Sequence, residues 1–147
     1  MSKPDRMLRE IARRVLKMQL AAGSSGKTAY AEAMQRSCGE LYRILETAMG
    51  PLGLQALIDR AIQIAAREYP WLTSVKTGAA ADCPLSGLAE AAERLNVADA
   101  TEGYAFLLAS MIWLLMTFIG EDLTLRFVRT AWPAVSFSKL SEGPRND

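Results

Sequence analysis

Residues 103–120 read GYAFLLASMIWLLMTFIG, eighteen consecutive positions without a charge. At this length a buried core helix and a membrane span share one signature, since a span needs roughly 17–25 apolar residues. The flanks separate the two. The run opens beside Glu102 and closes on Glu121 and Asp122. Its nearest bases, Arg126 and Arg129, lie inside a helical continuation, so no aromatic and lysine anchor marks either end. A central helix apolar on every side is what a bundle of amphipathic helices requires. The expectation is a very hydrophobic central helix within a single-domain, all-α bundle of about five helices, with a membrane span as the disfavoured alternative.

In helical projection Leu107, Leu108, Met111, Ile112, Leu114, Leu115, Phe118 and Ile119 cover one broad side. The other side is smaller and partly polar, with Ala105, Phe106, Ala109, Ser110, Trp113 and Thr117. Phe106, Ser110, Trp113 and Thr117 are therefore the candidate face for a neighbouring helix, a second copy of the chain or a small apolar ligand.

The same periodicity extends outward in both directions. The central helix is expected over 100–131, opened by the D-x-x-E pair Asp99 and Glu102 and ended by Trp132-Pro133. Residues 134–147, without period, are expected to be a disordered tail beyond a helical domain of residues 1–133. Toward the N-terminus, Leu8, Ile11, Ala12, Val15 and Met18 recur at the helical period and give an amphipathic helix over 1–22. Its outer face carries Arg6, Arg9, Arg13, Arg14 and Lys17, a candidate basic docking patch for an acidic partner or an anionic surface. Tyr30, Met34, Cys38, Leu41 and Leu45 mark a helix over 28–49. Gly50-Pro51-Leu52-Gly53 breaks it, and Leu54, Leu57, Ile58, Ala61, Ile64 and Ala65 continue in a helix over 52–69, so the break predicts an antiparallel hairpin. Residues 73–82 lack a period and are expected to be a mobile loop between two sub-bundles. Asp82 is expected to cap a helix over 83–95. Residues 89–102 carry Glu90, Glu93, Asp99 and Glu102 against Arg94 alone, opposite in sign to the N-terminal helix.

Composition removes most chemistry. The 147 residues contain no histidine, so the common general base near neutral pH, the Ser-His and Cys-His pairs and most transition-metal sites are excluded. The di-iron carboxylate bundle, which needs Glu-x-x-His on two helices, goes with them despite Glu90 and Glu93 on one face. Residues 21–28, AAGSSGKT, miss the phosphate-loop pattern by one glycine, and no strand precedes them to present backbone N–H groups. Lys27 and Tyr30 are acid-base groups with no pocket assigned to them. Cys38 falls on an apolar stripe and Cys83 in a loop, unpaired and without a secretory signal, which suits a reducing cytoplasm. A net charge of +1 supplies no field for nucleic acid.

No catalytic residue, cofactor or metal site is expected. The leading reading is a non-enzymatic, cytoplasmic helical interaction module that self-associates as a homodimer or meets a protein partner. The competing reading is a sensor for a small apolar ligand, with Met34, Met49, Met111, Met116, Phe106 and Trp113 lining a cavity beside the central helix. Membrane association is a third.

Overall fold

The computed structural model describes residues 4–20, 26–80 and 83–135, excluding the side chains of Ala79, Ala80 and Cys83. In chain order the elements are α1 (Arg6–Gln19), α2 (Lys27–Glu68), a 3₁₀ turn (Pro70–Ser74), β1 (Lys76–Ala80), β2 (Cys83–Ser86), α3 (Leu88–Ala91), α4 (Val97–Ile119) and α5 (Glu121–Ala131). The described residues form the expected all-α domain of five helices, one of them the long apolar α4, with a small hairpin added.

Asp5 starts α1: its carboxylate accepts the Leu8 N–H at 3.0 Å, satisfying one of the donors a helix start leaves open. The buried face is Leu8, Ile11, Ala12, Val15 and Leu16, the spacing of a core-facing stripe. Met18, expected on that face, is instead exposed, because Leu16 completes the stripe.

Gly50 is the one non-helical residue inside α2, at φ 77° and ψ 162°. Pro51 follows it in the first turn of the second half, where a missing N–H leaves no hydrogen bond unmade. The halves run in opposite directions along α4. In the first, Tyr30 shares a groove wall with Thr101, and Cys38 Sγ lies 3.8 Å from Met111 Sδ, so residue numbers climb together. The second half starts from Gly50 and ends where the Tyr69 ring meets Phe106, with centroids 5.4 Å apart. The two halves therefore form an antiparallel hairpin clasping α4.

A second glycine turn does the same for the last helix pair. The sequence predicts one helix over 100–131, but it is two, divided at Gly120 (φ 90°, ψ 163°). A positive φ of this kind is cheap only for glycine, so the helix stops there rather than bending. Beyond it α5 descends beside the first half of α2, and Trp132 Nε1 donates to the Ser37 carbonyl oxygen at 3.3 Å. The helix also begins three residues earlier than expected. Its N-cap is Asn96, whose side chain accepts from Asp99 N at 2.8 Å, so Asp99 sits in the first turn instead of opening the helix.

Residues 73–95 depart furthest from the sequence reading. The expected loop over 73–82 is the end of the 3₁₀ turn followed by β1, and the expected helix over 83–95 opens as β2, antiparallel to β1. Only Leu88–Ala91 is α-helical. Tertiary contacts override local preference here. The Gln35 side chain, on α2, accepts from Leu85 N at 3.3 Å and donates to Leu85 O, so one amide grips both backbone groups of a β2 residue. Thr77 Oγ1 donates to Asp59 on the other half of α2. Leu72, Val75, Leu85 and Leu88 bury their side chains under this cover. The expected cap Asp82 lies outside the described residues, as does the expected tail over 134–147 from residue 136 onward; at its start Val135 is instead buried against the core, its N–H bonded to Trp132 O at 3.1 Å.

At the centre, every residue from Gly103 to Ile112 is buried. Gly103 is the point of closest approach: a β-carbon there would stand 2.2 Å from Cζ2 of Trp71, whose ring packs edge-on against Tyr104.

Candidate interaction surface

The five cations of α1 do not form one patch. Arg13 turns inward to Glu102 on α4, with Nε 2.8 Å from Oε2 and Nη2 2.8 Å from Oε1, and its Nη1 donates to Glu10 at 3.0 Å. This fork holds the Glu102 carboxyl below the usual carboxylate range and raises Arg13 further. Arg9 lies over the Phe106 ring, 5.7 Å from its centroid. Arg14 makes only a loose 3.9 Å approach to Glu10. Among the described residues Arg6 and Lys17 have no side-chain partner. Two of the five charges are thus engaged with α4, leaving Arg6, Arg14 and Lys17 directed outward.

The second candidate face divides in the same way. Phe106 is buried beneath Tyr69 and Arg9. Ser110 is buried too, its hydroxyl donating to the Phe106 carbonyl at 2.8 Å, as a helix-interior serine does when it finds no partner outside. Neither is available to a partner. Trp113 is half-buried, and Thr117 is exposed with its hydroxyl bonded back to Trp113 O at 3.0 Å. The residues proposed to line a ligand cavity are largely packed core: Met34, Met111 and Phe106 are buried, with Met49 and Met116 at the margin. Four open grooves on the described surface border none of them.

Lys27 Nζ donates to the carbonyl oxygens of Ala92, at 3.2 Å, and Glu93, so it pins the end of α3. Tyr30 lines a groove beside α1. Cys38 is buried among apolar side chains, which pushes its thiol pKa up and makes the thiolate scarce. Glu90 and Glu93 are exposed.

What the sequence reading missed is an apolar end to the bundle. Both glycine turns lie at the same end, because the first half of α2 and α4 run parallel. There Leu52 is 80% exposed, Phe118 62% and Leu123 37%, beside half-buried Met49, Met116 and Ile119. The acidic Glu46, Glu121 and Asp122 rim this end. A signal was present in the chain: Leu52 and Leu123 each follow a glycine by two or three residues, in the first turn of a new helix where no core lies beneath.

No family model, curated protein or solved structure matches this chain.

Proposed function

We propose that this protein is a non-enzymatic helical interaction module that self-associates through its apolar end. The observation that carries the reading is that Leu52, Phe118 and Leu123, exposed side chains from three helix segments, all belong to the end where the two glycine turns lie. A large exposed aromatic with aliphatic neighbours gains by leaving water, and a cluster of them from several segments is the usual mark of an interface. Met18 and Val97, exposed singly elsewhere, carry no such meaning.

The acidic Glu46, Glu121 and Asp122 disfavour an anionic membrane, whose headgroups would repel them, and set a like-charge cost on a second copy that salt would screen. Support for a non-catalytic role comes from the displaced titrations. Cys38, Tyr69 and Tyr104 are shifted chiefly by burial, and Arg13 with Glu102 by their mutual ion pair. A reducing, cytoplasmic setting belongs to the same reading, with Cys38 serving as core. The test is NMR of the full chain over a concentration series. Shifts or broadening at Leu52, Phe118 and Leu123 are expected, and changes confined to α1 would place the contact elsewhere.

A further inference from the structure

A groove of about 260 Å³ lies where α1, the first turn of α2 and the early turns of α4 meet, lined by Glu10, Arg13, Arg14, Lys17, Tyr30 and Thr101. It is at the opposite end of α4 from the apolar cluster. Three cations and one carboxylate line it. Arg13 is held by its fork on Glu102 and by Glu10, so two carboxylates offset its charge and three of its five N–H groups are committed. Glu10, at 3.0 Å from Arg13 and 3.9 Å from Arg14, has its charge offset within the groove. Thr101 donates its hydroxyl to Val97 O at 2.7 Å and can only accept. Three donor groups line the groove without a hydrogen bond: the Arg14 guanidinium, held only by its 3.9 Å approach to Glu10, the Lys17 ammonium one helical turn along the same face, and the Tyr30 hydroxyl from α2.

We propose that this groove binds a phosphomonoester-type dianion. A guanidinium fork, a point cation and a phenol approaching from two elements supply separate donors to the several oxygens of a tetrahedral anion, whereas a planar carboxylate would occupy the fork alone. The volume lies just below that of drug-sized pockets, so the organic part is small. Lys27, the lysine of the glycine-rich stretch, takes no part because it is held on α3 carbonyls.

The test is isothermal titration of the full chain with inorganic phosphate, glycerol 2-phosphate and acetate, at low ionic strength. Both phosphates are expected to bind at submillimolar concentration and acetate at least about tenfold more weakly, the margin of a lost charge-assisted contact. Arg14→Gln, Lys17→Gln and Tyr30→Phe should each weaken the phosphates with unchanged circular dichroism. Arg6→Gln, on the same helix but outside the groove, should leave them unaffected. Absence of heat with either phosphate, equal binding of acetate, or equal loss in Arg6→Gln would overturn the assignment.

Discussion

Arg13 and Glu102 are 89 residues apart in the chain and share two parallel hydrogen bonds of 2.8 Å, joining the first helix to the start of the central one. The pair is partly exposed, so it contributes about 1 kcal/mol or less despite its good geometry. Because the Glu102 pKa is lowered in the folded protein, its contribution is complete above the unfolded carboxylate range and fades as pH falls through the folded value. Denaturant unfolding of wild type and Glu102→Gln at neutral pH should differ by about that amount, and the gap should close in acid. A gap unchanged between pH 7 and strongly acidic conditions would assign the loss to packing instead.

Trp71 occupies the space that a side chain at Gly103 would need, with 2.2 Å between its ring and a β-carbon there. Gly103→Ala should therefore cost about 1–3 kcal/mol, against the small gain that alanine usually brings inside a helix. Thermal unfolding reads the sign directly. Adding Trp71→Ala should relieve the clash, so the two substitutions should be strongly non-additive.

Gln35 takes the place of a third strand by bonding both backbone groups of Leu85. Gln35→Ala removes one hydrogen bond from each backbone group of Leu85, a loss of about 0.5–1.5 kcal/mol per bond. Amide exchange at β1 and β2 should accelerate while the α4 core stays protected. Uniform acceleration through the chain would show that the hairpin unfolds only with the whole domain.

Tyr104 is held in the core, and burial pushes its pKa up to about 12. A raised value means that its contribution is intact below the unfolded tyrosine range near 10 and is lost as pH rises toward 12. Stability should fall over that alkaline window. The fall should be shallower in Tyr104→Phe, which keeps the ring against Trp71 and removes the ionisable hydroxyl. An identical alkaline profile in the two proteins would contradict this assignment.

The elements that were legible in the sequence are those whose information is local. The stripe on α1, the charge-free α4 and the break at Gly50 all follow from spacing and from glycine and proline chemistry. The β1–β2 hairpin was not legible: Lys76 to Ala80 shows no alternation of β-branched residues, and its support comes from Gln35 and Asp59 on α2. The basic patch was only partly legible for the same reason, since the partners that withdraw Arg9 and Arg13 are Phe106 and Glu102, far along the chain. Phe106 and Ser110 were placed on a face for a neighbouring helix, a second copy or a ligand by a projection that knows one helix at a time and cannot choose among them. In the fold α1 and the hairpin of α2 enclose that face as well.

Association through the apolar end is tested most directly by sedimentation equilibrium at several protein concentrations. Wild-type protein should show reversible self-association that strengthens with added salt as the acidic rims of facing copies are screened. Leu52→Glu with Phe118→Glu should remain monomeric while keeping wild-type circular dichroism. Wild-type protein that is strictly monomeric up to high micromolar concentration, or association that persists unchanged in the double variant, would contradict it.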